Sequence, residues 1–304
     1  MAARGTCTSQ DARLECERPG AHCPLEAGIA VPELPEVETY ARDLARVLPG
    51  RVFRGAVVTW PNQLPANEPA EFARRIAAQR VAGVSRRGKY LLLALPRDTL
   101  VVHLKMSGRL ILAAAAEPPD RHAHVVLALD GGDELRFRDP RKFGRVYLLE
   151  RTEALLGPLG PEPLEPAFTA AALARRLAGR RARLKPLLLD QRFVAGLGNI
   201  YADESLWAAG LHPLRVAGTL SAGEAATLQR SIRHVLERAV AARGSSLSDG
   251  GYRDLTGNPG EMQGSLAVYG RSGAPCPRCG TAVRRLLVAG RGTHLCPRCQ
   301  PAPP

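Results

Sequence analysis

Apolar side chains recur at three- and four-residue steps through Leu34, Val37, Ala41, Leu44 and Leu48. They share one face of a helix that Pro49-Gly50 ends. The helix opens on Val31-Pro32-Glu33-Leu34-Pro35-Glu36-Val37-Glu38. Proline is tolerated in a first turn and carboxylates there suit the helix dipole, so a plain helix start is one reading of this stretch. Downstream the period shortens. Runs at 51–60, 79–85, 90–95, 99–104, 109–113, 124–129, 134–137 and 145–149 read as strands, with Asp130-Gly131-Gly132-Asp133 as a hairpin turn. Strands so closely spaced predict an antiparallel sandwich.

Four prolines within 157–166 mark a linker, after which the pattern turns helical. Residues 168–177 form an Ala/Arg-rich helix, 185–189 a short turn, and 199–209 a helix with Asn199 as N-cap. The helix at 221–242 is the clearest. Ser221 and Glu224 make a capping box, and Ala225, Leu228, Ile232, Val235, Leu236 and Ala239 make its apolar stripe. Gly196-Leu197-Gly198-Asn199 leads into a helix N-terminus, where exposed N–H groups suit a phosphate and where glycine is also a common start. Residues 244–264 hold six glycines and read as a long loop. Residues 1–30 show no periodicity, no apolar core of a signal peptide and no acid-free Arg/Ser pattern of a transit peptide.

A chain of 304 residues suggests several compact units, and no apolar run approaches the length of a membrane span. The net charge of +13 points to an anionic partner, nucleic acid first, with a solvated basic surface as the plainer alternative. The seven cysteines fall in two groups: Cys7, Cys16 and Cys23, then Cys276, Cys279, Cys296 and Cys299. That is no disulfide framework and fits a reducing cytoplasm.

Cys276-Pro277-Arg278-Cys279 and Cys296-Pro297-Arg298-Cys299 have the spacing of a four-thiolate zinc site, structural because no coordination position stays open. Between them, strands at 283–288 and 293–295 with Gly290-Arg291-Gly292 as the tip predict a zinc ribbon that presents Arg291. Asp139-Pro140-Arg141-Lys142-Phe143-Gly144 and Met106-Ser107-Gly108 are turns offering an apolar side chain beside cations. Such a pair could enter an opened base stack or could equally be core. Ser85-Arg86-Arg87-Gly88-Lys89-Tyr90 is a third basic turn, for phosphate contact or plain surface. The histidines show no metal spacing.

Taken in order, PELPEVE, SRRGKY, HLKMSG, DPRKFG, GLGNIYADE and the paired CxxC motifs resemble the bacterial formamidopyrimidine-DNA glycosylases, over 32 to about 300. The PELPE opening separates this branch from endonuclease VIII, which typically opens PEGPE. The resemblance implies an α+β fold: an N-terminal antiparallel β-sandwich flanked by helices, a helix–two-turn–helix domain and a C-terminal four-cysteine zinc ribbon. The corresponding division is 32–156, a linker at 157–166, 167–264 with the lesion-recognition loop, and 265–304. It implies excision of oxidised purines such as 8-oxoguanine from duplex DNA, preferably opposite cytosine, by a monomer with one structural zinc. By the same resemblance Pro32 is the nucleophile, Glu33 its acid/base partner, and Glu36 a further active-site carboxylate. Lys89 serves β-elimination, and Arg291 serves δ-elimination and the lesion phosphate. Met106, Arg141 and Phe143 fill the void, Arg141 reading the orphaned cytosine. His122, Arg180, Lys185 and Asn199 grip the DNA backbone.

Two departures stand out: Lys105 where the family commonly has glycine, and the detail of 244–264. An internal proline nitrogen is an amide with no basic lone pair, so a chain keeping 1–31 would be a non-catalytic DNA-binding protein of the same fold. The expectation is therefore that 1–31 is a non-native or disordered extension and that translation starts at position 31, a GTG codon read as Val internally. Loss of the initiator Met then frees Pro32.

Overall fold

The computed structural model describes residues 31–247 and 251–303. Apart from Val31, the expected extension at 1–31 lies outside the described residues. The first helix, α1 (Leu34–Val47), starts at Glu33 and buries the predicted face. Its first residue and its body belong to different cores. Leu34 packs with Leu197, Ile200 and Leu236 in a helical core. Val37, Tyr40 and Leu44 pack in the sandwich. One short helix thus fixes how the two units meet.

The sandwich has two four-stranded antiparallel sheets. One runs β1 (Phe53–Val58), β6 (Ala123–Leu129), β7 (Asp133–Arg138), β5 (Arg109–Ala114). The other runs β2 (Gly83–Arg87), β3 (Tyr90–Ala94), β4 (Thr99–His103), β8 (Arg145–Leu149). Alternate residues face inward: Leu91, Leu93, Leu100 and Val102 from one sheet meet Val125, Leu127, Leu135 and Phe137 from the other. Helix α2 (Pro69–Ile76) adds Phe72 and Ile76 to this core. The expected strand at 79–85 starts later, because Gln79 and Val81 pair irregularly with Arg51 and Phe53 first. The SRRGKY segment is less of a turn than expected. Arg87 pairs with Tyr90, so only Gly88-Lys89 form the loop, and Arg86 and Arg87 lie in β2.

After the one-turn α3 (Glu153–Leu156), helices α4 (Ala170–Leu177), α5 (Leu184–Leu189), α6 (Asn199–Ala209) and α7 (Ala222–Ala241) enclose the second core. The Ser221–Glu224 capping box forms as expected. Asn199, expected as N-cap of α6, is instead its first helical residue, and Gly198 is the cap. The ribbon pairs β9 (Arg284–Val288) with β10 (Arg291–Leu295). Val288 opposes Arg291, so the tip is Ala289-Gly290, both left-handed, rather than 290–292. Arg291 opens the returning strand. Among the described residues no helix is long and apolar enough to cross a membrane.

Candidate active site

The glycines before α6, open to a phosphate or to a plain helix start, seat a carboxylate. Glu33 Oε2 accepts the Gly198 N–H at 2.7 Å, and Oε1 accepts that of Ile200 at 2.8 Å. Tyr201 N–H reaches Oε2 at 3.4 Å. These donors are the orphan N–H groups of α6, so an acid from the start of α1 caps a helix 165 residues further on. Glycine makes this approach possible. A Cβ on Gly198 would lie 2.3 Å from Glu33 Cδ, and one on Gly196 would lie 2.7 Å from the Leu34 side chain.

Glu36 continues the network one turn on. Its carboxylate accepts the Glu33 N–H at 2.8 Å, the Tyr201 hydroxyl at 2.5 Å and the Ser245 N–H at 2.7 Å. Both carboxylates are buried. Burial pushes Glu33 up to about 7 against the opposing pull of Lys89, and Glu36 adds to the rise. Burial raises Glu36 too, against its hydrogen-bond donors. Lys89, at the β2–β3 loop, is held below the ordinary lysine range by lost hydration. Glu33 and Glu36 oppose that fall, and Arg291 and Lys105 reinforce it. Pro32 directly precedes Glu33, so Pro32, Glu33, Glu36, Lys89 and Arg291 converge from three parts of the chain on one site.

Helix α6 also holds the ribbon over this site. Lys185 is fully buried, its Nζ 2.7 Å from Asp203 Oδ1 and 3.0 Å from the Gly292 carbonyl. Asn199 Nδ2 donates to the same carbonyl at 3.1 Å, and Asp203 accepts the His294 N–H at 2.8 Å. Lys185 therefore does not present a free cation for a phosphate. Its charge is taken up by Asp203, and the pair locks α5, α6 and β10 together. Asn199 keeps its buried Oδ1 without a partner among the described residues.

The expected wedge residues stand on two adjoining turns organised by buried Asp139. Its carboxylate accepts the Ser107 hydroxyl, the Gly144 N–H at 2.6 Å and Gln63 Nε2 at 3.2 Å. Arg141 N–H in turn reaches Ser107 Oγ at 3.3 Å. Phe143 is 45% exposed with the Arg141 guanidinium 5.1 Å from its ring centre, so it is not core. Met106 is half-buried. His122 leads into β6, its carbonyl accepting the Asp139 N–H at 2.9 Å, which sets it beside the wedge turns. Arg180 is exposed after α4.

Arg86 and Arg87 are not phosphate ligands as placed. Arg86 is bound to Glu38 and Glu162, and Arg87 to Glu162. Lys105 has φ +54°, which explains why glycine suits this position. Lys105→Gly is expected to stabilise the fold by about 0.5–1 kcal/mol, a melting temperature higher by roughly 2 °C. A lower melting temperature would show contacts of Lys105 that outweigh its strain.

The four C-terminal sulfurs lie within 4.8 Å of one another. Separations of 3.9 Å (Cys276–Cys299), 3.4 Å (Cys279–Cys296) and 3.5 Å (Cys279–Cys299) match the roughly 3.8 Å edge of a tetrahedron with zinc–sulfur bonds of about 2.3 Å. The donor set fits zinc, which would join the two knuckles and take no part in chemistry.

Tyr201, Ser245, Asp203 and Glu204 were not singled out from the sequence. Glu204 accepts three successive N–H groups from Ala267, Val268 and Tyr269 at 2.8–2.9 Å, tying the approach to the ribbon onto α6. The available signal was two acids in the middle of an otherwise apolar helix, which must be paired when buried. The segment expected as the lesion-recognition loop, described on both sides of 248–250, is anchored at Ser245 and at Tyr252. The Tyr252 ring meets Tyr40 edge-on at 6.0 Å, and Arg253 O accepts the Tyr40 hydroxyl.

Three family models match: the formamidopyrimidine-DNA glycosylase N-terminal domain over 31–146, its H2TH domain over 159–250, and the zinc finger found in FPG and IleRS over 273–302. A formamidopyrimidine-DNA glycosylase of Herpetosiphon aurantiacus is 50% identical over 274 residues, covering 89% of this chain and all of the relative. One from Chloroflexus aggregans is 51% identical, covering 89% of this chain and 98% of its own. The crystal structure of MutM (FPG) from Thermus thermophilus is 45% identical and covers 90% of this chain and all of its own, with a TM-score of 0.81. Lactococcus lactis Fpg bound to abasic-site DNA is 36% identical and covers 89% of this chain and all of its own, with a TM-score of 0.82. With the sandwich, the helical module, the ribbon and their ordered motifs in place, the chain belongs to the formamidopyrimidine-DNA glycosylase family.

Proposed function

We propose that this protein is a base-excision DNA glycosylase and lyase that removes oxidised purines from duplex DNA. The observation that carries the reading is the pairing of Pro32 with a buried carboxyl held near neutrality, opposite Lys89. With Pro32 first in the chain, its neutral secondary amine attacks C1′ of an extruded nucleoside. The glycosidic electron pair leaves with the base, and the proton shed by the Pro32 nitrogen as it bonds to C1′ neutralises the departing base. Protonation of the ring oxygen by Glu33 opens the sugar and leaves an iminium ion between C1′ and Pro32. That cation acidifies C2′. Loss of the C2′ proton expels the 3′ phosphate, with Lys89 as the proton carrier. A second elimination, assisted by Arg291, expels the 5′ phosphate.

Phe143, Met106 and Arg141 are suited to fill the space left by the extruded base, Arg141 facing the orphaned partner, with cytosine preferred. His122, Arg180 and Asn199 would hold the backbone. Zinc, when bound, supplies rigidity to the ribbon carrying Arg291. The enzyme acts as a monomer, in the cytoplasm on nucleoid DNA, where the four C-terminal thiols stay reduced.

The test, on the chain that begins at Pro32, is release of 8-oxoguanine and strand cleavage on a duplex carrying that base opposite cytosine, against an undamaged duplex. Equal or no activity on both would overturn the reading. Protonated Glu33 is lost above about 7 while neutral Pro32 is gained up to about 8, so base release should peak between these values and fall on the alkaline side. Glu33→Gln should lower the rate by about 10²–10⁴-fold and remove this limb of the profile, read by single-turnover kinetics. An unchanged pH profile in the variant would rule out Glu33 as the proton source.

A further inference from the structure

A second cationic site lies far from the reaction. Between α6, α7, the chain at 262–271 and the first cysteine knuckle is an open cavity of about 660 Å³. Arg230, Arg238, Arg271 and Arg278 line it. Among the described residues none of the four has an acidic partner. Arg271 donates to the carbonyls of Leu266 and Ala267, Arg278 donates to Ala208 O and stacks 4.4 Å from the Trp207 ring centre, and Arg230 reaches only Thr227. The one carboxylate in the lining, Glu204, is consumed by three backbone N–H groups. On the same module Arg215 pairs with Glu224 and Arg233 with Glu237, so acids are present on this surface but not in the cavity. Four unpaired cations held together in one concavity repel one another unless an anion joins them.

The position argues against the substrate strand. Trp207 is eight residues beyond Asn199 on α6, about 12 Å along the axis and toward the opposite end from the reaction. Arg278 sits at the knuckle end of the ribbon, whereas Arg291 is beside its tip. The floor is apolar, formed by Val235, Met262 and Leu266. A row of phosphates would leave that floor unmatched, whereas a peptide carrying both carboxylates and apolar side chains satisfies floor and rim together.

We propose that this cavity docks a short acidic–apolar peptide segment of a protein partner, at a site separate from the damaged-DNA surface. The probe is a fluorescein-labelled nonapeptide alternating aspartate and leucine, titrated onto the full protein by anisotropy. Controls are nona-aspartate, inorganic phosphate and an undamaged duplex. Expected is saturable binding of the probe, weakened about tenfold by the double substitution Arg230→Glu and Arg238→Glu. Both residues are exposed on α7, so their replacement should leave folding and 8-oxoguanine release unchanged. The proposal fails if the double variant binds the probe as the parent does, or if nona-aspartate binds equally well. It fails also if phosphate or the duplex displaces the probe and the variant loses duplex affinity in parallel, since the cavity would then be a phosphate or DNA surface. Excision activity is scored separately, so loss of the docking site and loss of the glycosylase reading are distinguishable.

Discussion

A chain whose first residue is Pro32 should be captured covalently by borohydride on duplex DNA containing 8-oxoguanine, and the 304-residue chain with 1–31 retained should give no adduct. The difference is chemical, not structural. As a chain terminus, Pro32 is a secondary amine with a pKa of about 7.7–8, so a useful fraction is neutral at pH 7.5. Acylated by Val31, the same nitrogen is a tertiary amide with no lone pair to give. Among the described residues the contacts that hold the Glu33 and Glu36 carboxylates are with Glu33 N–H itself and with Gly198, Ile200, Tyr201 and Ser245, and none involves Val31. The two forms should therefore melt at the same temperature while trapping falls from nearly complete to background. Intact mass of each species fixes which residues it carries. An adduct on a species that verifiably retains 1–31 would overturn the role of Pro32.

The legible parts were those with local causes. The strand run at 99–104, the Ser221–Glu224 cap and the paired CxxC spacing each follow from period, side-chain chemistry or ligand geometry within a few residues. What stayed hidden was long-range. Gly198 and Asn199 looked like a self-capped helix start, because no local rule says that an acid from 33 supplies the acceptor. Arg86, Arg87 and Lys185 looked like free cations, because their partners Glu38, Glu162 and Asp203 lie 18 to 76 positions away. Ion pairing between distant segments leaves no periodicity to read. The same reasoning separates two kinds of basic residue: those neutralised in the fold, and those, like Arg141 and Arg291, left exposed.

The same network sets opposing influences on the Glu33 proton. Its N–H donors and Lys89 favour the ionised carboxylate, and burial favours the neutral one, with burial prevailing. Native Glu33 thus binds its proton more tightly than the unfolded chain does, and its contribution to stability declines as pH rises from about 4.5 to about 7. A carboxyl poised in this way is costly to the fold at neutral pH and ready to give a proton there, a trade common at active sites.

Removing the metal should uncouple the ribbon from an otherwise intact protein. The ribbon's own core is Val268, Cys276, Val283 and Cys296, and two of these four are thiol ligands. Too little apolar surface remains to hold β9 and β10 without metal, and structural zinc in such modules is worth on the order of 10 kcal/mol. The sandwich and helical cores contain none of the cysteines, so they should stay folded. With the ribbon loose, the Gly292 carbonyl no longer meets Lys185 and Asn199, and Arg291 no longer stands by Lys89. Stripping zinc with a chelator, or Cys279→Ser, should therefore lower strand cleavage by about 10²-fold or more while the main melting transition persists. Trp207 supplies a readout independent of activity. Its indole N–H lies 3.4 Å from Cys276 Sγ, so its fluorescence should change in step with zinc release, whereas Trp60, in the sandwich, should not respond. Full cleavage by protein shown to be metal-free, or collapse of the whole melting transition on chelation, would each contradict a ribbon that is held by zinc and serves chiefly to carry Arg291.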